Sequence, residues 1–166
     1  MTWGIPTDVF LQFHVVVSLI GIASGLVVVY GLLTDRLLRG WTELFLATTI
    51  LTSVTGFPLA PFGFDPPRAI GTISLVLLAV AIAALYIFRL AGAWRWAYII
   101  TAMIALYFNA FVAVIQAFQK LSFLHPLAPT QSEPPFVIAQ LALLIAFIAL
   151  GVFAVKRFHP KVGATV

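Results

Sequence analysis

The sequence predicts an all-α integral membrane protein, a bundle of five transmembrane helices with the N-terminus outside the cytoplasm and the C-terminus inside. Three observations predict it. The first is composition: of 166 residues, 63% are hydrophobic and 8% charged, with a mean hydropathy of +1.13, whereas about a quarter of a soluble domain is charged. The second is five apolar stretches, each near the roughly 20 residues that cross a hydrocarbon core of about 30 Å. The third is the distribution of Lys and Arg between the two sides that those stretches define.

The stretches are residues 8–33, 41–58, 66–90, 94–119 and 134–155. Breaks at 34–40, 59–65, 91–93 and 120–133 carry the Gly, Pro and charge expected of turns. The first stretch reads as a retained helix and not a cleaved signal, because no Lys or Arg precedes Asp8. The second is the weakest by hydropathy, yet leaving it out puts Arg36 and Arg39 opposite the other basic loops. With it, Arg36, Arg39, Arg89, Arg95, Lys156, Arg157 and Lys161 lie inside and only Arg68 and Lys120 outside, a positive-inside bias of seven against two. Trp41, Trp94 and Trp96 then fall at the inner interface and Trp3 at the outer, where amphipathic rings prefer to sit. The scattered cations make no basic stripe of the kind nucleic acids bind. With no cysteine, disulfides, thiolate metal sites and thiol nucleophiles are excluded.

An internal repeat stands in the outer loops. Pro58-Leu59-Ala60-Pro61-Phe62-Gly63-Phe64-Asp65-Pro66-Pro67 recurs at one fixed offset as Pro126-Leu127-Ala128-Pro129-Thr130-Gln131-Ser132-Glu133-Pro134-Pro135, with six positions identical and Asp exchanged for Glu at a seventh. The second and third helices then correspond to the fourth and fifth as a parallel repeat of two helical hairpins. The competing reading is chance likeness between two Pro-rich loops. Asp65 and Glu133 precede prolines suited to the first helical position, so both read as N-caps.

Polar side chains inside the spans normally turn from lipid toward the bundle interior. His14, Ser18, Gly21 and Gly25 share one face of the first helix, and Gly21 to Gly25 is a GxxxG pattern that admits a close neighbour. The second helix carries Thr48, Thr49, Thr52, Ser53 and Thr55, whose hydroxyls can bond back to the preceding turn. Asn109 and Gln116 share a face of the fourth helix, and Gln140 lies about two turns into the fifth. His14, Thr52, Thr55, Asn109, Gln116 and Gln140 are therefore the candidate ligand-binding residues, in a pocket on the outer side walled by Phe57, Phe62, Phe64, Phe118, Phe123 and Phe136. Interhelical hydrogen bonds that merely fix the bundle are the alternative. His14 is also the one residue suited to haem or quinone, though bis-histidine haem needs a second His at matching depth, and His125 and His159 sit in an outer loop and on the cytoplasmic side.

The segment 13–30, together with Thr52-Ser53-Val54-Thr55-Gly56-Phe57 and Ala128-Pro129-Thr130-Gln131-Ser132-Glu133-Pro134-Pro135-Phe136, resembles a group of small bacterial multispan membrane proteins with no established activity. The resemblance extends along the chain, implies a bacterial inner membrane and supplies no functional residue.

The chain carries no Walker loop, dinucleotide fingerprint, HExxH, nucleophile elbow or intramembrane carboxylate cluster. The leading expectation is a non-catalytic accessory subunit of a larger membrane complex, or a small-ligand binding module. A small transporter or channel for a neutral or lipophilic solute is the second, and a haem- or quinone-binding redox protein using His14 the third. No metal site is expected.

Overall fold

A computed structural model of the chain describes residues 2, 4–59 and 66–160. Asp65, Phe62, Phe64, Trp3, Lys161 and most of the first copy of the repeated loop lie outside the described residues. The elements are α1 (Thr7–Leu33), α2 (Arg39–Gly56), α3 (Pro66–Ile82), α4 (Trp94–Lys120) and α5 (Pro134–Arg157). A π-helical turn, Ala83–Ile87, extends α3, and short 3-10 turns occupy Phe57–Leu59 and His125–Leu127.

Among the described residues four helices are long and apolar enough to cross a bilayer: Thr7–Leu33, Arg68–Ile87, Trp94–Lys120 and Pro134–Arg157. The second expected span is the helix α2, which is not among them. Its 18 residues measure about 27 Å at 1.5 Å per residue, and they include Arg39, Glu43 and a run of hydroxyls.

Hydrogen bonds between elements give the chain an alternating up-and-down course. His14 near the start of α1 bonds Thr55 near the end of α2, and Gln140 early in α5 donates to the Phe111 carbonyl late in α4. At the other end Arg95, at the start of α4, donates to the Phe158 carbonyl just beyond α5. The His159 amide donates to Asp35 Oδ1 beyond α1. The bundle thus has a His14 end and an Arg95 end.

The helix ends follow local chemistry. α1 stops where Asp35 takes a left-handed φ of 57° and the Arg36 amide returns to the Gly31 carbonyl at 2.8 Å, the bonding of a Schellman motif. α5 begins with Pro134 and Pro135 after Glu133. Glu133 stands at the N-cap position, but its carboxylate makes no capping bond to the helix, which corrects the expected role. Two prolines remove two of the orphan amides a cap would serve, and the next, on Phe136, donates to the Glu133 carbonyl at 3.1 Å. The carboxylate instead closes the preceding turn, accepting from Thr130 Oγ1 at 2.8 Å and from the Thr130 and Ser132 amides at 3.1 Å each.

The main apolar core sits toward the Arg95 end, where Val28 and Leu32 of α1, Phe45 of α2, Leu78 of α3 and Tyr98, Ile99 and Leu106 of α4 are buried. The glycine stripe of α1 faces α2 and α4. A Cβ at Gly25 would stand 2.5 Å from Leu106 Cδ1 and 2.9 Å from Phe45 Cδ2, so three helices meet there only because the side chain is absent. α5 lies on the outside and buries only Gln140 and Ala154. Its exposed Ile138, Ile145, Ile148 and Phe153 suit a hydrocarbon solvent and would be costly in water.

Candidate ligand-binding cavity

Toward the His14 end the four helices α1 to α4 line a partly open cavity of about 100 Å³. α1 contributes His14 and Ser18, α2 Thr49, Thr52 and Ser53, α3 Arg68 and Ser74, and α4 Phe108 and Asn109. Small residues make the room: Gly56 lies against the His14 ring, with an added Cβ 3.6 Å from Cε1.

The hydrogen bonds decide what each group presents. Thr55 Oγ1 donates its one proton to the Leu51 carbonyl at 2.7 Å, so at 2.8 Å from His14 Nδ1 it acts as acceptor. The neutral imidazole is therefore the Nδ1–H tautomer, and its Nε2 is a bare lone pair with no hydrogen bond among the described residues. Thr52 and Ser53 likewise donate backward, to the Thr48 carbonyl at 2.8 Å and the Thr49 carbonyl at 2.9 Å. What they retain for the cavity is acceptor capacity. Ser18 Oγ donates to Asn109 Oδ1 at 2.8 Å, and Asn109 Nδ2 returns a longer bond of 3.4 Å to the Ser18 carbonyl. Thr49 is 2% exposed and its Oγ1 is buried with no hydrogen-bond partner, a deficit that costs about 1–3 kcal/mol unless something fills it.

Arg68 brings the cation. From the first turn of α3, its Nε and Nη2 donate to the Phe57 carbonyl at 3.3 and 3.2 Å. That contact also satisfies the carbonyl end of α2, a structural role in its own right.

Of the six residues singled out by sequence, His14, Thr52 and Asn109 line this cavity and Thr55 stands behind His14. Gln140 and Gln116 do not line it. Gln140 is turned onto α4 at the Phe111 carbonyl, 3.2 Å away, with its Oε1 buried and unpartnered. Gln116 is half-buried farther along α4. The aromatic wall is also different: Phe57 and Phe108 line the cavity, whereas Phe118 and Phe136 pair edge-to-face at 5.5 Å between α4 and α5 and Phe123 is exposed. Ser18 and Thr49 were legible only as packing groups, and Arg68 only as a charge outside the membrane. Pro66 as the helix start already put Arg68 on the first turn of α3, which was the available signal.

Haem does not fit these residues. His125 is exposed in its 3-10 turn and His159 lies at the opposite end. The cavity is also well below the roughly 300–1,000 Å³ usual for organic ligands. Nor does His14 suit donation to a quinone carbonyl, since its one N–H is given to Thr55. Among the described residues no group of three His, Cys, Asp or Glu could hold a metal ion.

The fold and cavity define an all-helical bundle with four apolar helices able to span a membrane. No protein-family model matches the chain, and neither does any curated protein or solved structure.

Proposed function

We propose that this chain is a five-span bacterial inner-membrane binding module, N-terminus outside, whose outer-half cavity takes a small neutral molecule bearing a hydrogen-bond donor. The observation that carries this reading is the orphaned Thr49 hydroxyl in a cavity that His14, with its bare Nε2, also lines, on walls otherwise rich in acceptors. A hydroxyl-bearing ligand donates to the imidazole or accepts from Thr49, and Asn109 and Arg68 orient its other side. The volume, about 100 Å³, is well below that usual for organic ligands, so the ligand or inserted headgroup is small. Support for the fifth span comes from α2 running between the same two ends as α1, and support for the orientation from the basic-residue count.

Nondenaturing mass spectrometry of protein purified from native membranes in mild detergent tests the reading. A small adduct is expected on the wild type and is lost in Thr49→Val, which keeps the shape and removes the hydroxyl. A wild type that is always empty, with Thr49→Val simply more stable, would overturn it.

A second reading, a small transporter built on repeated hairpins, is favoured by one feature. The Pro-Leu pair of each loop copy lies in a 3-10 turn, and the prolines that follow begin α3 and α5 at Pro66 and Pro134. Solute flux into reconstituted vesicles that falls on Asn109→Leu would favour transport over binding alone.

A further inference from the structure

At the Arg95 end a second, larger cavity of about 280 Å³ opens between the start of α2 and the end of α3. Its polar groups are Arg39, Thr42 and Glu43 from α2 and Tyr86 and Arg89 from the bend after α3, with leucines completing the walls. It shares no residue with the His14 cavity.

Three features make this more than a surface groove. Arg39, Glu43 and Arg89 are exposed and make neither a hydrogen bond nor an ion pair with one another, so two guanidinium forks and a carboxylate stand ready around one space. Thr42 is 1% exposed, and its Oγ1 and the neighbouring Tyr98 hydroxyl are both buried without a hydrogen bond of ordinary geometry. The backbone that brings Arg89 here is strained: after the π-helical turn, Arg89 and Leu90 take φ of 48° and 59°, where a side chain costs about 1–2 kcal/mol per residue. The stack of Phe88 on Trp94, 3.7 Å apart and nearly parallel, holds that bend.

The surroundings identify the occupant. Trp41 and Trp96 are exposed at this end, as rings at a membrane interface are, which sets the cavity at headgroup depth. Beside it the lipid-facing side of α3 exposes Ile73, Val76 and Ile87, an apolar track for acyl chains. We propose that the cavity binds a phospholipid headgroup that carries both a phosphate and a primary ammonium. The phosphate sits between Arg39 and Arg89, whose planar forks match its oxygens. The ammonium sits against Glu43 and the Tyr86 ring. Glu43 is what selects this class over a purely anionic headgroup, which it would repel. The proposal requires a bilayer around the chain but not a ligand at His14.

The delipidated full-length protein in detergent would be titrated with ethanolamine, choline and glycerol phospholipids of matched chains, and separately with inorganic phosphate, with adducts read by nondenaturing mass spectrometry. The ethanolamine lipid is expected to bind best. Arg39→Gln with Arg89→Gln should weaken it at least about tenfold, the scale of losing charge-assisted bonds, while Arg36→Gln, outside the cavity, leaves it unchanged. Glu43→Gln should abolish the preference for ethanolamine over choline. Unaltered binding in the double variant, a preference for the glycerol lipid, or inorganic phosphate displacing every lipid alike would overturn the proposal.

Discussion

At the scale of single residues, function here turns on which protons are already committed. Thr55 gives its proton to the turn below and so can only accept from His14. That one bond turns the imidazole from an ambiguous group into a fixed acceptor at the cavity wall. Thr55→Val removes the acceptor behind Nδ1, and the neutral ring is then expected to shift toward the Nε2–H tautomer. Imidazole nitrogen chemical shifts of the detergent-solubilised protein report this directly, and an unchanged Nδ1–H signature would contradict the assignment. Asn109 shows the same logic from the other side. Its amide is bonded to Ser18, so part of its capacity serves the α1–α4 contact and the rest faces the space between them.

At the scale of elements, the small-residue stripe of α1 is what permits the cavity to have walls. Gly25→Val places atoms where Leu106 and Phe45 now stand, and overpacking of this kind costs about 1–3 kcal/mol. The midpoint of thermal unfolding in detergent should fall accordingly, and Leu106→Ala in the same chain should restore part of the loss. A different element, the turn before α5, carries a pH dependence. Desolvation, the largest single influence on Glu133, acts to raise its pKa. The bonds from Thr130 and Ser132 outweigh it and hold the carboxyl below its ordinary value. A depressed folded value means the turn is tightened by this group above the ordinary carboxylate range, and loosens as pH falls through the lowered value. Exchange of the Thr130 and Ser132 amides should accelerate across that acidic window, relative to the intrinsic rate. In Glu133→Gln the protection should be low and no longer pH-dependent.

At the scale of the whole molecule, the question is how many times the chain crosses the bilayer. α2 is short, holds two charges near its start and spends four of its hydroxyls, those of Thr48, Thr52, Ser53 and Thr55, on its own carbonyls, which makes it tolerable in lipid without making it apolar. The absence of cysteine makes the topology directly readable with single introduced thiols. With five spans and the N-terminus outside, a membrane-impermeant maleimide labels Gln131→Cys on intact cells and labels Thr34→Cys only after permeabilisation. Labelling of both from outside would remove the proposed topology.

Much of the bundle was legible in the sequence because lipid imposes a one-dimensional rule: a helix must be apolar over its whole crossing, and its end is announced by Pro, Gly or charge. The helix beginning at Pro134, the break after Leu33 and the close-approach glycines of α1 all follow from that rule. The boundary between α3 and α4 was less legible. A π-helical turn and two left-handed residues depend on Phe88 finding Trp94 and not on any turn signal.

What the sequence by itself determined is the set of long apolar helices and how far along each one its polar groups lie, since hydropathy and rise per residue are properties of one helix at a time. What only the tertiary structure decided is azimuth. Gln140 and His14 lie a similar distance from the starts of α5 and α1, yet rotation about the helix axis sends Gln140 to a carbonyl of α4 and His14 to the cavity. Thr49 and Arg68 join the cavity for the same reason, because which faces meet is set by packing among four helices at once. The orphaned Thr49 hydroxyl is a property of that packing. No periodicity in α2 distinguishes it from the four neighbouring hydroxyls that bond to their own helix.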